Sequence, residues 1–133
     1  MDESPDLTDL QLAVLRVLWR GGEPTVQQIQ AALRDDDRPL AATTVATLLS
    51  RLEKRGVVAH RTEGRVYRYR ACITEEEARR AMVGGLAGRL FGGDVTALVS
   101  HLLGGEQVGE GELARMREMI DRRERELKEG PDD

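Results

Sequence analysis

Between Ala42 and Arg55 the sequence reads as a helix with a narrow apolar stripe, Val45, Leu48, Leu49 and Leu52, at i, i+3, i+4 and i+7. The opposite face then carries Thr43, Thr47, Ser50 and Lys54, with Ala46 and Arg51 on its flanks. All of these are small, hydroxylated or basic, and Glu53 lies nearer the buried side. Such a face can approach a polyanion closely. Arg51 and Lys54 can neutralise phosphates or reach guanine acceptors, and threonine methyls can touch thymine methyls. Just downstream, Arg61, Arg65 and Arg68 alternate with β-branched and aromatic residues and can contact phosphate or enter a minor groove.

Other chemistries find little to use. The only cysteine is Cys72 and the only histidines are His60 and His101, so no nucleophile stands beside a base and no Cys or His cluster has metal-ligand spacing. Asp35-Asp36-Asp37 lacks the alternating ligands and glycine of a calcium loop and reads as solvated. His60 reads as a strand-surface residue. No metal, no cofactor and no enzymatic activity are expected.

The charge is unevenly placed. The 133 residues sum to −4, but residues 1–40 carry −4, residues 41–70 carry +5 and residues 71–133 carry −5. A basic block between two acidic ones is the footprint of a localised phosphate-binding surface. The longest apolar runs are a few residues, against roughly 18 needed to span a bilayer, and the acidic N-terminus lacks the basic start and apolar core of a signal peptide. A cytoplasmic protein without membrane insertion is expected.

The elements around this surface can be read in order. Thr8 with Gln11 forms a capping box, with Leu7 stapling onto Leu12, for a first helix whose Leu10, Val14, Val17 and Leu18 face inward until Gly21-Gly22. Trp19 reads as core packing at its end. Thr25 with Gln28 starts a second helix with Val26, Ile29 and Leu33 inward. After the third helix and Gly56, Val57–Arg61 and Arg65–Arg70 read as two strands around a Thr62-Glu63-Gly64 turn. Three helices followed by a basic hairpin is the layout of a winged helix-turn-helix, in which the third helix enters the major groove and the hairpin follows the flanking backbone.

Residues 73–133 read as three further helices. Thr74 to Glu77 caps the first, with Ala78, Met82, Leu86 and Leu90 on one stripe. Gly84, Gly85 and Gly88 within it cost about 1 kcal/mol each relative to alanine, which predicts a bend or a closely packed neighbouring backbone. Asp94 caps the next helix, and the last turns Leu113, Met116, Ile120 and Leu127 to one side. Amphipathic helices without a core of their own need a partner surface, and the economical one is a second copy; packing on the N-terminal module is the alternative. The expected architecture is mainly α with a small β-hairpin. A winged helix-turn-helix DNA-binding domain occupies residues 1–72 and a helical dimerisation region residues 73–133.

Several stretches together resemble the penicillinase-repressor family: Leu7-Thr8-Asp9-Leu10, Val17-Leu18-Trp19, Thr43-Thr44-Val45, Thr47 through Leu52, Lys54-Arg55-Gly56, Gly64-Arg65 with Tyr67 and Tyr69, Leu90-Phe91-Gly92-Gly93 and Ala97-Leu98-Val99. The resemblance implies a homodimer, joined through intertwined C-terminal helices, that sits on an inverted-repeat operator in double-stranded DNA and blocks transcription. It implies that Thr43, Thr44, Thr47 and Arg51 face the operator, with Arg65 in the wing. Met82, Leu86, Leu90, Phe91, Leu98, Leu102, Met116 and Ile120 are the candidate dimer residues. Copper-responsive relatives end in Cys-x-Cys motifs, which this tail lacks. Relatives that respond to β-lactams are cut at an Asn-Phe bond by a membrane sensor metalloprotease, and His101-Leu102 stands in that place. The pair is the candidate cleavage site by position, but it departs from the Asn-Phe bond, and the apolar periodicity favours reading it as dimer-helix packing. A second reading of the whole chain is a winged-helix protein-interaction module whose basic patch meets an acidic protein.

Overall fold

Local capping decides where the first two helices begin. The structure, a computed structural model, describes residues 7–130. Helix α1 spans Asp9–Trp19: Thr8 Oγ1 accepts from the Gln11 backbone N–H and Gln11 Oε1 accepts from the Thr8 N–H, both at 3.1 Å. Helix α2, Val26–Asp35, repeats the reciprocal pair with Thr25 and Gln28 at 3.2 and 3.0 Å. Two orphan donors are satisfied at each start. Helix α3, Ala42–Lys54, starts at Ala41 with no side-chain cap.

The apolar stripes of these helices meet in one core. Val14 and Leu15 of α1, Ile29 and Leu33 of α2, and Val45, Leu49 and Leu52 of α3 are fully buried, with Val58 joining them from the hairpin. Leu7 is buried and Leu12 packs against the same cluster, as the staple reading requires. Trp19 is half-buried against the core, and its indole N–H donates to the Ile73 carbonyl at 2.9 Å, tying the end of α1 to the chain that leaves the hairpin.

Gly56, at φ 78°, takes the chain from α3 into the wing through a backbone conformation that side chains disfavour. Strands β1, Val58–Glu63, and β2, Val66–Ala71, pair antiparallel, with Val58 opposite Ala71, His60 opposite Tyr69 and Glu63 opposite Val66. The turn differs from the sequence expectation. Thr62 and Glu63 continue β1, and the two-residue loop is Gly64-Arg65 with Gly64 at φ 63°, so Arg65 sits at the tip rather than in a strand. A Gly at the first loop position suits the right-handed twist of the strands, and this outweighs the β-propensity that favoured an earlier turn.

The chain divides into two compact units, Met1–Leu86 and Ala87–Asp133. Helix α4, Glu75–Phe91, runs through the division, which lies beyond the sequence-derived start of the helical region at 73. The reason is packing: Ala78 is buried in the N-terminal core and Met82 packs against it. Helix α4 opens with the Thr74–Glu77 reciprocal pair at 2.9 and 3.0 Å. In the second unit α5 spans Val95–Leu103, with Asp94 accepting the Ala97 N–H at 3.1 Å, and α6 spans Glu110–Glu129 with no buried residue. Among the described residues no single helix is long and apolar enough to cross a membrane.

Candidate nucleic-acid interface

Because Val45, Leu48, Leu49 and Leu52 are all buried, the helical repeat leaves the rest of α3 facing solvent. Thr43, Thr44, Ala46, Thr47, Ser50, Arg51 and Lys54 are exposed. Neither Arg51 nor Lys54 has an ion-pair or hydrogen-bond partner among the described residues. Glu53, the helix's one carboxylate, is turned off this face and bound elsewhere. The α3 surface therefore offers hydroxyls, methyls and two uncompensated cations with no acidic side chain among them.

Leu10 of α1 extends this face. A shallow depression of about 340 Å³ is lined by Leu10, Thr43, Thr44, Thr47, Leu48 and Arg51. Leu10 packs against the core, as its spacing implies, and its half-exposed part borders the threonines. An apolar side chain beside hydroxyls can discriminate by methyl contact.

The wing arginines separate into two kinds. Arg65, at the hairpin tip, is exposed and has no partner among the described residues. It lines a second depression, of about 460 Å³, with Thr25, Val26 and Gln27 at the start of α2 and Tyr67 of β2. Arg61 and Arg68 are engaged within the protein. Arg61 Nε donates to Glu23 Oε1 at 2.6 Å and its Nη2 lies 3.6 Å from Glu63. Arg68 donates through Nε to Glu63 and through Nη1 to the Glu23 carbonyl at 3.0 Å. The hydrogen bond and charge of Arg61 hold the Glu23 carboxyl below its ordinary value, and Glu23 in turn raises Arg61. Since Glu23 ionises more readily when folded, the pair stays charged at neutral pH and is lost only in acid, below the ordinary carboxylate value of 4.5. Arg61 and Arg68 thus have partners within the protein, and Arg65 has none among the described residues.

His60 is more than a strand-surface residue. Its Nδ1 donates to the Glu53 carboxylate, 2.7 Å from Oε2 and 2.9 Å from Oε1. Its ring stacks on Tyr67 with centroids 4.1 Å apart and planes at 20°, and lies 5.7 Å from Tyr69. Burial pushes the Tyr69 hydroxyl above its usual 10.0, and the negative charges of Glu53 and Tyr67 add to this. The folded state thus keeps its proton at pH values where the unfolded chain has lost it. This contributes stability fully present below pH 10 and lost as pH rises through the folded value. Thermal unfolding followed from pH 9 to 11 is expected to show the wild-type midpoint falling further than that of Tyr69→Phe; parallel curves would remove Tyr69 as the cause.

The candidate dimer residues divide as well. Leu90 is 67% exposed, Ile120 57% and Leu102 56%, and Leu86 is also exposed. Phe91 and Met116 are half-buried, Met82 packs on the N-terminal core, and Leu98 is buried. Val95, Val99, Leu103, Met119 and Leu127 add exposed apolar area that the candidate set omits. His101 is exposed, 5.9 Å from the Phe91 ring. A Cβ on Gly84 or Gly88 would meet nothing within 4 Å, so these two glycines face open space, and α4 is one continuous helix from Glu75 to Phe91.

The chain is 24% identical over 129 residues to the penicillinase repressor of Bacillus licheniformis, covering 97% of this chain and all of that protein. It is 36% identical over 116 residues to the transcriptional regulator BlaI of Mycobacterium tuberculosis, covering 86% of this chain and 82% of that one. Among solved structures, the DNA-binding domain of the repressor BlaI matches with TM-score 0.50 and 30% identity, over 58% of this chain and 93% of that domain. The structure of hsRosR-SG shares the fold at TM-score 0.51 and 17% identity, over 95% of this chain and 99% of that one. The profile of the penicillinase repressor family matches residues 7–122, and the chain belongs to that family.

Proposed function

We propose that this chain is a cytoplasmic, DNA-binding transcriptional repressor that grips an inverted-repeat operator as a homodimer. The observation that carries the reading is the exposed face of α3, where Arg51 and Lys54 stand without internal partners among Thr43, Thr44, Thr47 and Ser50. Family membership and the names of its relatives, which are repressors, support the same reading. In it, α3 lies in the major groove, Leu10 borders the bases, and Arg65 at the wing tip meets the flanking backbone or minor groove. Arg61 and Arg68 can add phosphate contacts through the N–H groups that Glu23 and Glu63 do not use.

Pairing of two copies is supported by the apolar side chains that α4, α5 and α6 leave in solvent, Leu86, Leu90, Leu102 and Ile120 among them. Scattered singly they would need no explanation, but here they recur on three consecutive helices. The open space at Gly84 and Gly88 lets a second backbone approach α4 closely. That approach repays the helix propensity the glycines sacrifice. His101-Leu102 sits inside α5, so cleavage there by a membrane sensor metalloprotease requires that helix to unwind; exposed Leu102 fits dimer packing without that step.

The test is to select duplexes from a random-sequence pool and measure affinity for the best at several salt concentrations, with a scrambled duplex as control. The expected result is an inverted repeat bound more tightly than the scramble, with affinity falling steeply as salt rises. No enrichment, or salt-independent binding, would overturn the reading in favour of a protein-interaction module.

A further inference from the structure

A chain of contacts joins α3 to both strands of the wing. Glu53 stands on α3 next to Lys54, its carboxylate accepts a hydrogen bond from His60 Nδ1–H of β1, and the His60 ring lies flat on Tyr67 of β2. Tyr69 closes the cluster at 5.7 Å from His60 and 6.4 Å from Tyr67. The hydrogen-bonding side chains are partly exposed, 28% for His60 and 35% for Glu53, so solvent screening limits what the pair adds to stability. The core beneath it, Leu49, Leu52, Val57 and Val58, already holds helix and hairpin together. Two features therefore need a different explanation. Glu53 is the one carboxylate on α3, and its binding to His60 keeps negative charge off the polar face. Tyr67 is half-exposed, yet it is fixed flat against a ring whose other edge is anchored to α3.

We propose that Glu53, His60 and Tyr67 form a brace that sets the hairpin tip at a fixed position relative to α3, so that Arg65 and Arg51 engage one DNA site together. The register supports this. His60 pairs with Tyr69 and Thr62 with Tyr67, which puts these side chains on one face of the hairpin, while Arg61 and Arg68 share the other. Tyr67 lies two residues from Arg65, at the tip of a two-stranded ribbon that would otherwise twist freely, since such ribbons are marginally stable alone. The mirror face carries its own ties, Arg61 to Glu23 and Arg68 to the Glu23 carbonyl, so the ribbon is held from both sides. His60 and Glu53 are positioning residues, acting through Arg65. The inference rests on the reading of α3 and the wing as the DNA surface.

The experiment is a double-mutant cycle with the full chain and the duplex selected by the wild type. His60→Ala is expected to weaken binding about 5- to 10-fold in the wild-type background and less than 2-fold when Arg65 is already alanine, while its effect in an Arg51→Ala background stays 5- to 10-fold. Glu53→Ala, which leaves all three rings in place, is run through the same cycle in case His60→Ala loosens the hairpin, and thermal melting of each free variant is recorded. Glu53→Gln keeps an acceptor for Nδ1 and is expected to bind within 2-fold of wild type. Equal losses with and without Arg65, or wild-type affinity in both alanine variants, would overturn the brace. Failure of the wild type to prefer any duplex would instead remove the DNA reading beneath it.

Discussion

Arg51→Ala is expected to weaken binding to the selected duplex by roughly 1–3 kcal/mol, about a 5- to 150-fold loss, without lowering the melting temperature of the free protein. Both halves follow from where Arg51 sits. Its guanidinium is exposed and bound to nothing among the described residues, so truncation removes no internal contact. It shares a depression with Thr43, Thr44 and Thr47, so it reaches whatever those residues reach. A bidentate guanine contact accounts for the size of the loss and leaves the salt slope nearly unchanged; a phosphate contact lowers the slope by about one unit. Titration by fluorescence anisotropy at two salt concentrations reads both. Wild-type affinity in this variant would remove Arg51 from the interface.

Leu90→Asp is expected to have the larger consequence. Leu90 is 67% exposed in the single chain, so the substitution is cheap for folding. Across a two-fold interface the same change buries a carboxylate in each copy, at roughly 3 kcal/mol or more for the pair. Sedimentation is expected to show dimers for the wild type and monomers for this variant. Operator affinity should then fall on the order of 100-fold or more, because the second half-site is no longer delivered at high effective concentration. An unchanged mass would show that the face carrying Leu90 is not the interface and would move attention to Ile120 and Leu127 on α6.

The parts legible in the sequence are those fixed by neighbours along the chain. The Thr8–Gln11 and Thr25–Gln28 boxes and the Asp94 cap involve residues three apart, so a local pattern identified them, and the structure shows each one. The α3 stripe is equally local, and its four apolar residues are the four buried ones. What escaped depends on partners brought together by the fold. Glu23 and Arg61 are 38 residues apart and Trp19 and Ile73 are 54 apart, and no periodicity announces such pairs. The consequence reached the site: charge alternation nominated Arg61, Arg65 and Arg68 alike, but only Arg65 is without an internal partner among the described residues.

The hairpin turn and the packing of Met82 differ from the sequence reading for related reasons. Composition marked Thr62-Glu63-Gly64 as the turn, but strand pairing through Glu63 and Val66 leaves Gly64 and Arg65 as the loop. Likewise Met82 continued an apolar stripe toward Leu90, and periodicity does not say that one end of a stripe packs on the chain's own core while the other stands in solvent. His60 looked isolated because its partner Glu53 lies seven residues away across Gly56, in an element of different period.

Backbone amide shifts recorded as the selected duplex is titrated into the intact protein ask the central question directly. The account predicts the largest changes at Thr43, Thr47 and Arg51 on α3 and at Arg65 on the wing. Changes confined to α5 and α6, with α3 unmoved at saturation, would contradict it.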